Sequence, residues 1–507
     1  MGALTGVAPA PTARMKAHAR VARRVALASI PLLLLLGCGP TSGTMTGPVG
    51  STGSAGATGA AGTGGAGGST GGGGGQTGNA GTTGAGGSVA CTFTVASEVS
   101  SKIPTVGIVT WSTTLAGVQS ARIDFGLATS YGMTAPVDLS QADDPTLPTL
   151  RTLLLGMKTS RLYHFRITAA AAAGECRSDD YTITTGPIAN GLQKPTVTTS
   201  NASTLAGGFL VTGQHATNAG MSSAQAYILD ADGDYVWWIA VTNDVSGARM
   251  SYDGTHMWIN SVNVPSGTAR VHRVTMDGLT DEDLSSQFTG QSHQLTVLPD
   301  ETIAFYAYGT NGCDDIKERA PNGAVRTIVN AQAALRTTGD CHVNNIQYSQ
   351  PDDTLVFSDL NHNQVAKVKR SDGSTVWILN GTTATLTGAT WIGGEHGLHL
   401  VDLTHILLFN NNINGTGGSN ALEFLLDPTA RTVTRIWSYT ASPAINVQIM
   451  GDVQRLPNGN TVIGYSTKGA LHEVSSSGTV LQTWLWPGGA TFGYIEKRAT
   501  LYGPPPK

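Results

Sequence analysis

A pattern that recurs at a spacing of about fifty residues constrains the fold of this chain more than any other feature. It is an apolar strand, a turn rich in Pro, Asp, Asn and Gly, and a second apolar strand; its turns are centred on Asp253, Asp300, Asp353, Leu403 and Gly459. A second turn follows each one and leads into another apolar or Trp-bearing strand, as in residues 371–377 and 477–484. A period of roughly 50 residues suits a four-stranded propeller blade.

Half-units at residues 207–211 and 232–237 bring the number of units to six. Such a unit cannot bury its apolar face alone, and closing the units in a ring removes the exposed sheet edges of an open array. The sequence therefore predicts an all-β protein with a six-bladed β-propeller over residues 195–502. The tryptophans at the outer turns are predicted to be core residues, namely Trp237, Trp377, Trp437 and Trp484.

Three histidines stand at the same place in successive units. His293 opens the segment HQLTVLPD, His342 opens HVNNIQY, and His396 lies in EHGLHL, which ends in the Asn-rich turn 410–412. The loops at one end of a propeller converge on its axis, so we expect the three imidazoles to meet there. Each could instead simply bind a loop carbonyl. His399 and His405 are interpreted as structural or exposed.

The N-terminal residues 1–38 have the pattern of a secretory signal peptide. Basic residues precede an apolar stretch at 25–36, which is shorter than the ~20 residues of a membrane-spanning helix. The stretch ends in Leu-Leu-Gly-Cys38, which resembles the lipobox of bacterial lipoproteins. That resemblance implies an acylated Cys38 and, because no aspartate follows it, an exported lipoprotein of the outer membrane. An ordinary signal peptide with a chance cysteine is the alternative.

The next segment, residues 39–90, is almost wholly Gly, Thr, Ser and Ala, so it is predicted to be a disordered linker. The other four cysteines fall two in each proposed domain, and export favours disulfides. We therefore predict the pairs Cys91–Cys176 and Cys313–Cys341. No metal site is predicted, because the sequence has no Cys-x-x-Cys cluster.

Short alternating strands separated by turn residues indicate a small β-sandwich over residues 91–190. Residues 106–111 and 121–126 are two of the predicted strands, and 181–185 is the last. Residues 154–167 resemble the corner and following strand of fibronectin type III domains, with Tyr163 in the place of the corner tyrosine. No catalytic constellation is visible here, so the sandwich is interpreted as a spacer or docking module.

Several segments of the repeat region resemble the bacterial arylsulfotransferase family. They are His342–Ile346 with Asp352–Val356, Glu395–Gly397 with Phe409–Asn411, Gln454–Thr461, and Gly493–Ala499. The resemblance implies an exported six-bladed propeller that moves a sulfo group from an aryl sulfate to a phenolic acceptor without a nucleotide or other cofactor. It also implies that His396 is the nucleophile and that His342 and His293 support it. Asn344, Asn411 and Arg455 are assigned to substrate binding.

The sequence also departs from the family's pattern. Glu395 replaces a glutamine, Gln294 replaces an aspartate, and Leu360 stands where an arginine is expected. Loss of a guanidinium that could hold the sulfo group favours a second hypothesis: a non-catalytic surface propeller that binds a phenolic, peptide or glycan ligand. A net charge of −4 with only 13% charged residues leaves no basic stripe, so nucleic acid is not a predicted partner. The oligomeric state is not predicted.

Overall fold

The computed structural model describes residues 89–505, except 143–148, 216–223, 242–243, 264–267, 310, 389, 392 and 414. The predicted signal peptide, the anchor Cys38 and nearly all of the linker lie outside the described residues. The described residues fall within one compact unit built from strands, with one α-helix, Ala331–Leu335, and a few short 3-10 turns. The all-β prediction is confirmed. Among the described residues, no helix has the length and apolar character needed to cross a membrane.

The first part of the chain forms two small antiparallel sheets. The strands are β1 (Phe93–Val99), β2 (Gly107–Thr113), β3 (Val118–Gly126), β4 (Met133–Pro136), β5 (Leu150–Leu154), β6 (Leu162–Ala171), β7 (Gly174–Arg177) and β8 (Tyr181–Thr184). One sheet has the order β1-β2-β5; the other has the order β4-β3-β6-β7, with β8 paired to β6. Alternate residues of β2, β3 and β6 point inward, so Trp111, Phe125 and Phe165 share one core.

A tyrosine and a disulfide hold these two sheets at their margins. The hydroxyl oxygen of Tyr163 accepts a hydrogen bond from the Lys158 N–H at 2.8 Å, the local bond predicted for a corner tyrosine. Cys91, before β1, is joined to Cys176 in β7. The second predicted disulfide, Cys313–Cys341, is also present, so both pairings are confirmed.

The strands after residue 195 form six further sheets. In chain order they are β9 (Thr196–Thr199), β10 (Phe209–Gly213), β11 (Ala224–Asp230), β12 (Tyr235–Val241), β13 (Gly247–Met250), β14 (His256–Asn263), β15 (Thr268–Thr275), β16 (Asp281–Asp283), β17 (Gln291–Val297), β18 (Ile303–Tyr308), β19 (Asp314–Arg319), β20 (Val325–Asn330), β21 (Val343–Ser349), β22 (Thr354–Asp359), β23 (Gln364–Lys369), β24 (Thr375–Leu379), β25 (Thr387–Gly388), β26 (Glu395–Leu400), β27 (His405–Asn410), β28 (Asn420–Asp427), β29 (Thr432–Thr440), β30 (Asp452–Arg455), β31 (Thr461–Tyr465), β32 (Ala470–Val474), β33 (Val480–Leu485) and β34 (Glu496–Arg498).

We number these sheets 1 to 6 along the chain. Sheet 1 has the order β12-β11-β10-β34, sheets 2, 3 and 4 are the meanders β13–β16, β17–β20 and β21–β24, sheet 5 has the order β25-β29-β28-β27-β26, and sheet 6 has the order β30-β31-β32-β33-β9. The last strand of the region, β34, therefore joins sheet 1, whose other strands come from its beginning. The first strand, β9, joins sheet 6, whose other strands come from its end. Three of the four outer-turn tryptophans, Trp237, Trp377 and Trp484, are buried as predicted, whereas Trp437 is half-buried.

One strand of each sheet contacts the equivalent strand of the next sheet, and polar side chains join them. Gln294 accepts a hydrogen bond from the Ile346 N–H, Gln347 from the Leu400 N–H, His399 from the Arg455 N–H, Gln454 from the Lys497 N–H, and Glu496 from the Met250 N–H. We call these five acceptors the axial belt. The belt ties sheet 3 to 4, 4 to 5, 5 to 6, 6 to 1, and 1 to 2. Between sheets 2 and 3, the amide of Asn260 donates to the His293 carbonyl at 2.7 Å.

The sandwich packs against sheets 1 and 2. Ile103, Val106 and Leu155 belong to the same buried cluster as the apolar residues of those sheets. The Thr105 hydroxyl donates to the Val236 carbonyl at 2.8 Å, and Arg151 forms an ion pair with Asp277 at 2.5 Å.

Candidate functional site

Irregular strand pairing places the three predicted histidines at one end of the belt. The pairing of β17 slips between Gln291 and Leu295, that of β21 between Val343 and Asn345, and that of β26 between Glu395 and Leu398. His293 and His396 lie inside two of these irregularities, and His342 comes directly before β21. An irregularity of this kind turns side chains away from the regular alternation of a strand. The same kind of irregularity in strand pairing thus recurs in sheets 3, 4 and 5.

The three imidazoles come together as the sequence predicted. The rings of His293 and His342 meet edge to face, with 5.0 Å between their centroids. His396 lies close enough that His342 contributes to lowering its pKa, and His396 in turn contributes to lowering that of His293. The three histidines form one cluster because the same local geometry recurs in three adjacent sheets.

Burial makes all three imidazoles poor bases. Loss of hydration lowers the pKa of His396 to about 4, and it lowers the pKa of His293 well below its usual value. The pKa of His342 is lowered by burial too, but the nearby Asp359 carboxylate opposes the shift. At neutral pH the cluster is therefore uncharged, and His342 is the member whose surroundings favour a proton most.

Asn411 fixes which nitrogen of His396 carries the hydrogen. The Asn411 amide nitrogen donates to the carbonyls of Val447 at 3.0 Å and Met450 at 2.8 Å. Its oxygen must then face the ring, 2.7 Å from His396 Nδ1, and an oxygen can only accept. Nδ1 therefore carries the hydrogen, and Nε2 has the free lone pair of a nucleophile. Asn411 has no polar atom left for a substrate.

Asp359 organises the neighbouring segment. One of its oxygens accepts the backbone N–H of His342 at 2.5 Å, and the other contacts the imidazole Nδ1 of His362, also at 2.5 Å. His293 is held in the same way by its own neighbour, since the Ser292 hydroxyl lies 2.6 Å from His293 Nδ1. The two supporting histidines are thus fixed through polar contacts rather than through packing alone.

Glu395 lies beneath the nucleophile without contact with solvent. Its Oε2 accepts a hydrogen bond from the Trp391 indole N–H at 3.1 Å, and its Oε1 has no partner among the described residues. Burial raises the pKa of this carboxyl well above its usual value, and the Asp359 charge adds to the shift. A protonated glutamic acid has the shape and the mixed donor and acceptor character of glutamine, the residue it replaces.

Of the residues assigned to substrate binding, Asn344 lies in the histidine cluster and Arg455 does not. Asn344 is fully buried in the cluster: its amide donates to the Glu395 carbonyl at 2.9 Å, and its side chain lies close enough to His342 to favour the protonated form of that imidazole, although its side-chain oxygen has no hydrogen bond of good geometry within the described residues. Arg455 lies away from the histidines, where it is ion-paired to Glu423 and stacked on Trp437, with 4.9 Å from its Cζ to the ring centroid. Its guanidinium is not available at the cluster.

Leu360 occupies the border of the cluster. A methyl group placed on Gly394 would come within 2.4 Å of Leu360 Cδ1, so the leucine covers the backbone just before Glu395 and His396. No lysine or arginine within the described residues is among the charges that shift the pKa values of the three histidines.

A fourth histidine beside the cluster was missed by the sequence analysis. His215 follows β10, and its charge contributes to the lowered pKa values of His293 and His396. Its Nδ1 is buried and has no hydrogen-bond partner in the described residues. The other three histidines lie within or directly before the first strand of a sheet, whereas His215 follows a strand, so a search for equivalent positions passes over it.

Comparisons with solved structures give only low similarity. TolB from Acinetobacter baumannii is 12% identical with a TM-score of 0.41, covering 68% of this chain and 80% of its own. The periplasmic gluconolactonase PpgL from Pseudomonas aeruginosa is 14% identical with a TM-score of 0.40, covering 67% and 95%. Virginiamycin B lyase from Staphylococcus aureus is 12% identical with a TM-score of 0.35, covering 57% and 88%. No curated protein matches the sequence.

A family model, by contrast, matches most of the region that holds the cluster. It describes the arylsulfotransferases (ASST) and aligns with residues 201–485, which include His293, His342 and His396. The aligned stretch is more than half of the 507 residues. This chain therefore belongs to the arylsulfotransferase family.

Proposed function

We propose that this protein is an exported aryl-sulfate sulfotransferase that works through a sulfohistidine on His396. In this proposal, sheets 1 to 6 are the six blades of a propeller, and the preceding domain is a fibronectin type III-like sandwich. The observation that carries the proposal is the fixed tautomer of His396, whose Nε2 lone pair is held ready beside two further imidazoles. Neutral imidazole is a nucleophile that can split one transfer into two easier steps.

In the first step, Nε2 of His396 attacks the sulfur of an aryl sulfate and the bond from sulfur to the aryl oxygen breaks. The leaving phenolate takes a proton from His342, which acts in the fraction of molecules where it is protonated; the Asp359 carboxylate favours that form, although burial disfavours it. In the second step, the hydroxyl of a phenolic acceptor returns a proton to His342 and its oxygen attacks the sulfur. The N–S bond then breaks and its electron pair returns to Nε2, so protons and charge balance over the cycle.

The residues around the nucleophile take supporting roles in this scheme. Asn411 positions His396 and does not bind substrate, because its three polar contacts are already made. Asn344 is better suited to substrate, since its buried side-chain oxygen has no hydrogen bond of good geometry within the described residues. Arg455 is withdrawn from the substrate-binding set because Glu423 and Trp437 hold it elsewhere.

The second candidate function is a propeller that binds an aromatic ligand at the same cluster without transferring a sulfo group. One observation favours it: Leu360, over Gly394, is an apolar group where a cation could hold the sulfonate oxygens. Charge on those oxygens in the transition state calls for donors, and losing one such donor typically costs about 10²–10³-fold in rate.

Covalent labelling separates the two candidates. The protein is mixed with 4-nitrophenyl sulfate without an acceptor, digested, and mapped by mass spectrometry; we expect a sulfo group on His396 that added phenol removes. His396→Ala should lose both the adduct and turnover, and His342→Ala should slow turnover by about 10²–10⁴-fold. His405→Ala is the matched control, because within the described residues the imidazole of His405 hydrogen-bonds Asp402 and Thr404 of its own turn. If neither the wild type nor Leu360→Arg forms an adduct, the sulfotransferase proposal is wrong and the binding function is the one that remains.

We further propose that the protein is anchored to the outer membrane through Cys38, on the basis of the lipobox-like sequence. Cys38→Ser should move the protein from the membrane fraction to the soluble fraction of the native host. A Cys38→Ser protein that remains with the membrane contradicts the anchor.

A further inference from the structure

A second cavity lies on the axis of the six sheets, on the side of the belt away from the histidines. Its volume is about 580 Å³, within the range of small-molecule sites. Four belt residues line it, namely Gln347, His399, Gln454 and Glu496. In β17 and β26 the lining residues Thr296 and Leu400 come after the belt, whereas His293 and His396 come before it. At about 3.3 Å per residue, His293 and Thr296 are separated by roughly 10 Å.

Arg249 is the one arginine or lysine among the lining residues of this cavity. A guanidinium has five N–H donors, and within the described residues that of Arg249 makes one hydrogen bond, to the Ala248 carbonyl at 3.2 Å. The nearest acid, Asp452, lies 3.8 Å away, beyond hydrogen-bond distance. The Asp452 carboxylate already accepts the N–H groups of Val453 and Ile495, each at 2.9 Å.

This guanidinium is also largely removed from water, since only 16% of the Arg249 side chain is exposed. Hydrogen bonds to a charged group are stronger than neutral ones, and buried donors without partners are costly. The planar fork of arginine matches a carboxylate in particular, because two N–H groups can reach its two oxygens at once.

The residues that line the cavity indicate the shape and polarity of the ligand beyond its carboxylate. Tyr252 and Tyr348 form part of the lining, with Val297, Leu400 and Pro299. The Tyr252 hydroxyl is tied to Gln350 at 3.2 Å, and the Tyr348 hydroxyl to Asp353 at 3.0 Å, so both rings are oriented from outside. A flat apolar body fits these walls better than a sugar or a metal ion does.

We propose that this axial cavity is a second ligand site, which binds a small aromatic carboxylate with the carboxylate on Arg249. The site is separate from the histidine cluster and does not depend on sulfo transfer. Within the described residues Arg249 has an ion pair with Asp452 at 3.8 Å and one hydrogen bond, to the Ala248 carbonyl, so a bound carboxylate supplies its remaining N–H donors with acceptors at hydrogen-bond distance.

Titration of the full chain with 4-fluorobenzoate, followed by fluorine NMR of the ligand, tests the proposal. We expect saturable binding that Arg249→Met weakens by at least roughly tenfold, because a charge-assisted pair is lost. The neutral 4-fluorobenzyl alcohol should bind weakly, and equally to the wild type and Arg249→Met. Arg431→Met is the matched control; that arginine hydrogen-bonds the Thr385 carbonyl at 3.3 Å and does not line the axial cavity.

Two further variants locate the bound ligand. Thr296, in β17, lines the cavity itself, so a larger side chain at this position occupies space that the ligand needs. Thr296→Phe should therefore abolish binding even if Arg249→Met folds poorly. His396→Ala should leave binding unchanged. Loss of binding in His396→Ala with retention in Thr296→Phe would place the ligand at the histidines and overturn the proposal, as would absence of saturation in the wild type.

Discussion

The surroundings of Glu395 make this glutamic acid resemble a glutamine. Glu395 is fully buried, has one N–H donor facing it, and lies one residue before the proposed nucleophile. Ionised carboxylates are rarely left in such surroundings, because a neutral acid avoids the cost of burying charge. Its glutamine-like role therefore depends on the proton that it keeps.

The buried proton of Glu395 predicts a stability difference that depends on pH. Because burial raises the folded-state pKa, the native state keeps the proton when the unfolded chain loses it. Wild-type stability should then fall relative to Glu395→Gln as pH rises above about 4.5, the usual value. Urea unfolding of both proteins at pH 5 and pH 8 measures this. A difference in unfolding free energy that is the same at both pH values contradicts a neutral Glu395.

The sequence predicted the positions of some side chains of the candidate site and not those of others. The histidines were predictable because each sits at one fixed place in a repeat. Arg455 also follows a recognisable segment, but nothing in its local sequence reveals Glu423 and Trp437, which come from another strand pair. The tautomer of His396 rests likewise on the carbonyls of Val447 and Met450, which lie more than fifty residues after it in the sequence. Contacts of this kind are set by tertiary packing and leave no local pattern.

The elements that matter most are the inner strands with their belt. The period of about fifty residues predicted the sheets, and alternation within each strand predicted which residues face inward. It did not predict the belt, because glutamine, histidine and glutamate all occur in it, as in Gln347, His399 and Glu496, and these residues share only a position. Their common task is to accept an N–H from the next sheet, and this requires an acceptor rather than one particular residue.

Gln454 is the belt residue whose loss should cost the most stability. Its side chain both accepts from the Lys497 N–H at 2.6 Å and donates to the Lys497 carbonyl at 3.0 Å, which joins sheet 6 to the strand that ends the chain's fold. At about 1 kcal/mol per bond, Gln454→Leu should lower the free energy of unfolding by about 2 kcal/mol.

Gln347→Leu is the internal comparison, since Gln347 accepts one such bond, from Leu400 at 2.7 Å. Its cost should be near 1 kcal/mol. The exposed Gln141 makes a surface contact with Asp138 within its own turn, and Gln141→Leu should change stability by less than about 0.5 kcal/mol. Urea unfolding of the three variants ranks them, and equal losses for Gln454 and Gln347 contradict a role for the second bond.

On the scale of the whole molecule, the packing of the sandwich against sheets 1 and 2 could not be predicted from the sequence. The two regions could be recognised separately, one from its corner tyrosine and one from its repeat. Their contacts join residues more than seventy positions apart, such as Lys158 with Asp232 and Arg151 with Asp277. Neither side of such a contact carries a periodic signal, so only the folded chain shows which turn meets which loop.

The corner of the sandwich presents Lys158 to a loop of sheet 1. Tyr163 holds the Lys158 backbone, and the lysine Nζ lies 3.1 Å from Asp230, 2.6 Å from Asp232 and 2.8 Å from Asp234. Burial alone lowers the pKa of an ammonium, but the hydrogen bonds to Asp232 and Asp234 outweigh it and raise the pKa of Lys158. One cation therefore separates three carboxylates that otherwise repel one another.

Replacing Lys158 should loosen this interface in a salt-dependent way. Lys158→Met leaves three like charges together, so we expect about 1 kcal/mol of destabilisation at low salt, which shrinks in 1 M NaCl because ions screen the repulsion. Lys194→Met is the matched control: Lys194 contacts Asp234 alone, at 2.6 Å, from a half-exposed position, and should cost less than about 0.5 kcal/mol. Urea unfolding at the two salt concentrations gives both values, and limited proteolysis between the sandwich and sheet 1 reports the loosening directly. Equal effects of the two variants, or a Lys158→Met effect that salt leaves unchanged, would show that Lys158 acts through packing of its aliphatic stem instead of through its charge.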